Sequence, residues 1–296
     1  MMSLLATRPA GPSQADALLG HHAATGHAGA SRDWRRDDAD NAVLTLLCAS
    51  GRGGSGTTLL SALIAVAAAG EGVRVLLVDA DEHVGPLSMV LGATAHAGWQ
   101  DLRGGRFAPS DIVTPISTTL TLVAGGAPRV TSGAALTAAE RRACMRRVGS
   151  LASAFQLVVI DCGSRFDNVV AAMTPHSGER LLAVTAGADP IGLAATYALC
   201  KAVHDRHGAL PVDVLVNRHE GSEASRCFDA IDAGSRQFLG KSIRLAGAVP
   251  ADPTLDAALR SGMPFPDAAA GSPAAIAAHD VVMRMLAGAS SSRPGL

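Results

Sequence analysis

The chain has 296 residues, with 25 basic and 26 acidic side chains and a formal net charge of −1. This length allows a sizeable core in one large domain or two small ones. The balanced charge gives no reason to expect a nucleic-acid-binding protein that relies on net charge.

Residues 1–41 show no sustained hydrophobic periodicity and are predicted to form a flexible N-terminal tail. Within it, residues 13–19 have the pattern of one or two helical turns, which could dock on a partner. From residue 42 onward strand-like and helix-like runs alternate, and they predict a single domain over 42–288. Residues 289–296 have no apolar face and are predicted to be a second flexible tail.

The runs of the domain follow one another in a regular order. Strands are predicted over residues 43–49, 73–78, 120–126 with a turn, 157–161, 181–185, 212–217 and 243–249. Helices are predicted over residues 59–69, 87–91, 137–155, 191–206, 224–239, 253–259 and 273–286, with mostly loop at 98–112. This alternation predicts an α/β fold, a doubly wound and mostly parallel sheet with helices on both faces.

A glycine-rich stretch lies between the first predicted strand and the first predicted helix. Its residues are Ser50, Gly51, Arg52, Gly53, Gly54, Ser55, Gly56, Thr57 and Thr58. Glycine lets backbone N–H groups close around phosphate oxygens, and the helix that follows presents its positive end to the anion. We predict that residues 51–58 bind the phosphates of a nucleotide; the alternative is a glycine-rich turn without a ligand.

This loop departs from the ordinary Walker A pattern at one position. The pattern has Lys directly before its final Ser or Thr, where the ammonium reaches the β- and γ-phosphates, and Thr57 stands there instead. The loop resembles the deviant Walker A sequence GKGGxGKT of the MinD/ParA P-loop NTPases, with Arg52 in place of the first Lys. Because a neutral hydroxyl cannot supply the missing charge, slow or absent hydrolysis of ATP is expected.

Three carboxylates end predicted strands on the side of the sheet where ligands bind. They are Asp79, Asp81 and Asp161. We expect Thr58, Asp79 and Asp161 to hold Mg²⁺, partly through water, while Asp81 orients the attacking water and Arg52 acts as the cationic catalytic group. In the alternative interpretation Asp79 caps a helix and Asp161 is a turn residue.

The sequence between residues 43 and 286 resembles the FlhG (FleN) family of MinD-like regulators of flagellar number and placement. Residues 76–81 resemble its LLLDAD stretch, with Gly85 in a matching place, and 157–163 resemble its DxxIIDTGAG switch, although Cys162 and Ser164 differ. Further matches are residues 195–201 (TDAYALIK), 214–218 (VVNR), 238–240 (FLG), 247–252 (GxIPxD) and 258–260 (AVR).

The resemblance implies ATP or ADP and Mg²⁺ as ligands and a homodimer when nucleotide is bound. It also implies that Asn217 meets the adenine and that Arg218 and Pro250 belong to the nucleotide site. Residues 13–19 resemble the family motif that stimulates the partner GTPase FlhF, with Gln14, Ala15 and Leu18 matching. An FlhF-like GTPase and flagellar basal-body or transcription-regulator proteins are therefore the expected partners, without direct binding of nucleic acid.

The expected location is cytoplasmic, with recruitment to the cell pole or the inner membrane face by partners. The five cysteines lack zinc-site spacing and are expected to be reduced and mostly buried. No signal sequence is visible, and the longest apolar run, residues 59–70, is too short to cross a bilayer, so any membrane association is weak or indirect.

Three alternatives to the flagellar function stay open. One is a CpaE/TadZ-like pilus-assembly localisation protein, since those proteins also tolerate replacement of the second loop Lys. Another is an interaction scaffold that kept the fold and lost the nucleotide. A DNA-partitioning ParA would need a basic surface, for which residues Arg141, Arg142, Arg146 and Arg147 on one predicted helix are the candidates.

Overall fold

The computed structural model describes residues 43–126, 135–174, 178–220 and 222–291. The predicted tail over 1–41, including its docking segment at 13–19, lies outside these residues. The described strands are β1 (Leu44–Ser50), β2 (Val75–Asp79), β3 (Val113–Pro115), β4 (Leu120–Val123), β5 (Leu157–Gly163), β6 (Glu179–Ala186), β7 (Val212–His219) and β8 (Arg244–Pro250).

These strands form one sheet in the order β3-β4-β2-β5-β1-β6-β7-β8. Every neighbouring pair is parallel except β3 and β4. The predicted mostly parallel sheet is therefore confirmed. The edge strand β3 was not predicted, because three residues that include a proline show no alternation of apolar and polar side chains.

The α-helices of the described residues connect the strands. They are α1 (Thr57–Gly70), α2 (Pro86–Val90), α3 (Ala138–Gly149), α4 (Phe166–Ala172), α5 (Pro190–Arg206), α6 (Glu223–Leu239), α7 (Pro253–Arg260), α8 (Phe265–Ala269) and α9 (Pro273–Ser291). Short 3₁₀ turns occupy Trp99–Gly105, Pro109–Ile112 and Ala152–Ala154.

Helices cover both faces of the sheet, as predicted, and each face has its own core. Alternate side chains of β1 show this, since Leu46 packs in one core with α1 and α9, and Leu47 packs in the other with α3, α5 and α6. Both cores consist mainly of Ala, Val and Leu, in keeping with the 3% aromatic content. All five cysteines are buried, which confirms that part of the prediction.

Several helix bounds differ from the prediction. The helix expected over 137–155 begins after the predicted cap Thr137, whose hydroxyl accepts from the Glu140 N–H, but it ends at Gly149. The short helices α4 and α8 were not predicted, because five to seven residues give too few turns for a periodicity. The last helix runs to Ser291, so the predicted tail from residue 289 overlaps its final turn.

Candidate functional site

The glycine-rich loop joins β1 to α1 at the centre of the sheet, where β1 lies between β5 and β6. Gly54 and Gly56 have φ angles of 82° and 81°, in the left-handed region that favours glycine. A Cβ atom on Gly51 would come within 2.1 Å of the backbone carbonyl group of Ala195 in α5. Glycine at these positions is therefore required by the backbone conformation or by the close approach of a helix.

The loop offers unpaired donors at the start of α1. Between Arg52 and Gly56, no backbone N–H donates to another group in the described part of the chain. The N-cap residue Gly56 provides no side-chain cap for the helix. Free N–H groups at a helix N-terminus attract anions, so the loop geometry fits a phosphate group.

The two threonines that end the loop have different surroundings. The Thr58 hydroxyl shares a hydrogen bond with the carboxylate of Asp161. The hydroxyl of Thr57 is buried and has no hydrogen-bond partner within the described residues. The position that holds the Lys in the ordinary pattern is therefore occupied by a buried hydroxyl that the protein itself leaves unsatisfied.

Asp79 and Asp161 are brought together at the ends of β2 and β5, where they are register partners. Burial, together with the charge of the neighbouring Asp161, raises the pKa of Asp79 to about 7, and the hydrogen bond from the Leu87 N–H opposes this rise. Burial also raises the pKa of Asp161 to about 6, against hydrogen bonds from Thr58 and from the N–H of Gly163. A bound cation would therefore compete with protons for both groups.

The carboxylate of Asp79 is already engaged by the backbone. Its oxygens accept from the N–H of Asp81 at 3.0 Å and from the N–H of Leu87, in the first turn of α2, at 2.9 Å. The alternative in which Asp79 acts as a helix cap thus agrees with these contacts. Asp161, with its bond to Thr58, is the better placed of the two for a cation on the loop side.

Asp81 lies just beyond β2 and is half-buried. Its Oδ1 atom accepts from the N–H of His83 at 2.8 Å, and its charge raises the pKa of Asp161. Asp81 is therefore close enough to Asp161 for their charges to interact. The described residues contain no group of three or more His, Cys, Asp or Glu side chains able to hold a metal.

The single basic side chain of the loop is neutralised by a residue that the sequence did not indicate. Arg52 Nη1 lies 2.6 Å from Asp189 Oδ2, and the two side chains are 45% and 36% exposed. Asp189 is also the N-cap of α5, where it accepts from the N–H groups of Ile191 and Gly192. An Asp-Pro pair before a helix signals such a cap, but nothing in the sequence indicates the ion pair with Arg52.

The remaining predicted nucleotide-binding residues line a shallow cavity beside the start of α1. Asn217, Arg218 and Pro250 share its walls with Gly56 and Leu255, among others. Asn217 Nδ2 donates to the Ser55 carbonyl at 2.8 Å, so this side chain holds the loop itself. Arg218 has a φ of 54°, unusual for a residue other than glycine, and pairs with Asp256 at 3.2 Å.

Comparison with known proteins agrees with this architecture. Residues 46–265 match the family model described as the CobQ/CobB/MinD/ParA nucleotide binding domain. The chain belongs to this family. As a member it is expected to resemble other MinD/ParA proteins in fold over most of its length, which individual relatives bear out.

The antiactivator FleN of Pseudomonas aeruginosa is 24% identical over 226 residues, which cover 74% of this chain and 77% of FleN. The cell-division ATPase MinD of Pyrococcus furiosus is 22% identical with a TM-score of 0.64, covering 82% of this chain and 98% of MinD. MinD of Pyrococcus horikoshii, solved in complex with Mg-ADP, is 21% identical with a TM-score of 0.65, covering 85% and 99%. At these identities the two structures show the fold alone.

No helix among the described residues is long and apolar enough to cross a bilayer.

The candidate site consists of three parts. They are a loop with free N–H groups, the hydroxyl of Thr58 beside the carboxylate of Asp161, and the loop cation Arg52. These are the kinds of groups that bind phosphate and divalent cations in proteins. Within the described residues, the one cationic side chain of the loop, Arg52, is paired with Asp189.

Proposed function

We propose that this chain is a nucleotide-dependent regulator of flagellar number and placement that binds ATP or ADP with Mg²⁺ and forms a homodimer in the nucleotide-bound state. The observation that carries the nucleotide part is the loop of residues 51–58, whose free N–H groups lie beside the Thr58–Asp161 pair. Membership of a family of nucleotide-binding domains supports the same proposal.

In this proposal each part of the site has a separate task. The N–H groups from Arg52 to Gly56 hold the phosphates, and Thr58 and Asp161 hold Mg²⁺, with Asp79 acting partly through water. Bound Mg²⁺ supplies neutralisation of charge on the phosphate oxygens. Asp81 orients a water molecule, and Asn217 fixes the loop against the cavity that Arg218 and Pro250 line.

Hydrolysis is proposed to be slow or absent for two reasons. Thr57 brings no charge, and the loop's own cation, Arg52, is paired with Asp189. Loss of one charged contact to a transferring phosphoryl group typically costs about 3 kcal/mol, or roughly a hundredfold in rate. The protein would therefore work mainly by binding nucleotide rather than by turning it over.

The flagellar part rests on the likeness to FleN and on the motifs shared with the FlhG family. We propose an FlhF-like GTPase and flagellar basal-body or transcription-regulator proteins as partners, and recruitment from the cytoplasm to the cell pole or inner membrane face through them. Deletion of the gene should change the number or position of flagella seen by electron microscopy. Unchanged flagella together with altered pili would favour the CpaE/TadZ-like function instead.

Calorimetric titration of ATP and ADP, each with Mg²⁺, into the full chain tests the nucleotide part. We expect roughly micromolar binding, weakened at least tenfold in Asp161→Ala and unchanged in the matched variant Asp205→Ala on the exposed face of α5. Absence of binding in the wild type, with binding gained in Thr57→Lys, would identify a nucleotide-free scaffold. The ion pair between Arg52 and Asp189 is the observation that favours this second candidate.

A further inference from the structure

A second cavity lies on the face of the sheet covered by α3, α4 and α5, and no residue of the glycine-rich loop lines it. It has a volume of about 200 Å³. We call it the basic recess and define it by Arg141 and Arg142 of α3, Phe166, Asp167 and Val170 of α4, and Arg206 at the end of α5. None of these residues has a role in the nucleotide site proposed above.

The three arginines of the basic recess are not equivalent. Arg141 is buried and donates from Nε and Nη2 to both carboxylate oxygens of Glu82, at 3.0 and 2.6 Å. The charge of Asp167 on the same wall also acts on Arg141, and together these contacts raise the Arg141 pKa. The positive charge of Arg141 is therefore balanced within the protein.

Arg142 and Arg206 are different, because neither guanidinium group has a hydrogen bond or ion pair with any residue in 43–126, 135–174, 178–220 or 222–291. Arg142 is half-buried and Arg206 is exposed. Two unpaired cations that line one small recess attract an anion to it.

The basic recess is not part of a continuous basic surface of the kind that binds DNA. Of the four arginines named above as candidates for a basic surface on α3, Arg141 is paired with Glu82, and Arg147 donates to the carbonyl groups of Leu102 and Phe107. Arg142 and Arg146 are the two that stay available on that helix, so no continuous basic surface follows it in the described part of the chain. Of these two, only Arg142 lines the recess.

The size and lining of the recess indicate the ligand. The guanidinium group of Arg matches the oxygens of phosphate, which carries a charge of about −2 as a monoester and about −1 as a diester near neutral pH, and either charge suits two unpaired guanidinium groups. The volume is below the roughly 300 Å³ of a typical small-molecule pocket, so it suits one phosphate group with a small apolar neighbour on Phe166 and Val170. We propose that the basic recess binds the phosphate group of a second ligand through Arg142 and Arg206.

Two sources can present this chemistry, a soluble phosphorylated molecule and the headgroup of an anionic lipid. The first measurement is an NMR titration of the arginine Nε–Hε signals of the full chain with inorganic phosphate at low ionic strength. The signals of Arg142 and Arg206 should shift together on one saturable curve. The Arg52 signal reports phosphate at the glycine-rich loop separately, so failure of the proposed nucleotide site and failure of the recess are distinguishable.

Variants test whether the NMR shifts arise from phosphate bound in the basic recess. Arg142→Ala should abolish the saturable shift of Arg206, and Arg206→Ala that of Arg142, while Arg142→Lys should retain a weaker shift. Arg146→Ala, an exposed arginine of α3 outside the recess, should leave both curves unchanged. Signals that stay still, or that drift linearly as the Arg146 signal does with added salt, would overturn the proposal.

The second arm distinguishes the sources by co-sedimentation with phosphatidylglycerol vesicles, with phosphatidylcholine vesicles as the control. Pelleting with phosphatidylglycerol that inorganic phosphate suppresses, and that the Arg142→Ala and Arg206→Ala variants lack, assigns the recess to a lipid headgroup. Saturable phosphate binding without pelleting assigns it to a soluble phosphorylated molecule. No saturable phosphate shift, whatever the vesicles show, means that the recess is not a phosphate site.

Discussion

Asp79 and Asp161 lie side by side at the ends of two adjacent parallel strands, and both side chains are buried. Two carboxylates so placed cannot both be ionised without a large cost, unless a cation lies between them or near them. Burial accordingly raises the pKa of Asp79 to about 7 and that of Asp161 to about 6. The metal-free protein therefore takes up protons at these two carboxyl groups as the pH falls from about 7.

This arrangement predicts a pH dependence of stability for the metal-free and nucleotide-free protein. Between about pH 4 and pH 7 the folded state binds more protons at these two groups than the unfolded state does, so the free energy of unfolding falls as the pH rises. The stabilising contribution is complete below about pH 4 and is lost by about pH 7, a change of about 2 kcal/mol or more. Urea unfolding at a series of pH values measures it.

The control for this prediction is a pair of Asn variants. Asp161→Asn keeps an acceptor for the Gly163 N–H but cannot ionise, so its stability should vary less with pH than that of the wild type. Asp205→Asn, on the exposed surface, should keep the wild-type slope. Parallel pH profiles for wild type and Asp161→Asn would contradict the assignment.

Thr57→Val tests the buried hydroxyl at the Lys position. Because Thr57 Oγ1 has no hydrogen-bond partner in the described part of the chain, a methyl group of similar size removes an unsatisfied polar atom. The free energy of unfolding should rise by about 1 kcal/mol in the absence of nucleotide. A loss of stability in denaturant titrations would show that the hydroxyl has a partner in solution.

Thr57→Lys tests whether a side chain at position 57 contacts the phosphates of the nucleotide. The ammonium group should strengthen binding of ATP more than that of ADP, because it reaches the β- and γ-phosphates. Phosphate release should rise by about a hundredfold over the wild type. Calorimetry and a phosphate-release assay measure the two effects, and equal gains for ATP and ADP would argue against a Lys-like position for Thr57.

Asp189→Asn separates two functions of one residue. Asn is as good an N-cap as Asp, so α5 should keep its cap while Arg52 loses its partner. Since the pair is exposed, stability should change by less than about 1 kcal/mol, whereas ATP affinity should increase severalfold because Arg52 is free to approach phosphate. Asp189→Ala is the matched variant, with the same release of Arg52 but a lost cap that lowers stability by about 1 kcal/mol.

The sequence was sufficient for the order of elements and for the place of the loop. Closely spaced glycines between a buried strand and a helix are typical of phosphate-binding loops. Asp161 ends an apolar run, which in a parallel sheet places it at the edge where ligands bind. The family matched over residues 46–265 agrees with the resemblance inferred from those motifs.

Contacts between residues distant in the sequence could not be predicted. The ion pair of Arg52 with Asp189 and the hydrogen bond from Asn217 to the Ser55 carbonyl depend on how loops meet across the sheet. The sequence allowed a helix cap as one role of Asp79, but it did not indicate that α2 is the helix that Asp79 caps. Periodicity fixes which face a residue lies on, but not which loop atom it meets there.

The contact between Asn217 and the loop gives the last prediction. Gly56 has a φ of 81°, and a Cβ atom there would lie 2.5 Å from Asn217 Nδ2. Gly56→Ala should therefore combine backbone strain of about 1 kcal/mol with displacement of the Asn217 amide, which releases the Ser55 carbonyl. Asn217→Ala should lower stability by about 1 kcal/mol through the lost hydrogen bond alone.

Because both substitutions disrupt the same contact, the double variant should be less destabilised than the sum of the single ones. The coupling energy expected for residues in contact is about 0.5–3 kcal/mol, measured by a double-mutant cycle in urea. Both single variants should also weaken ATP binding, since each loosens the loop that carries the free N–H groups. Additive effects on stability would mean that Asn217 does not hold the loop in solution, and its amide would then be free to meet the base of the nucleotide.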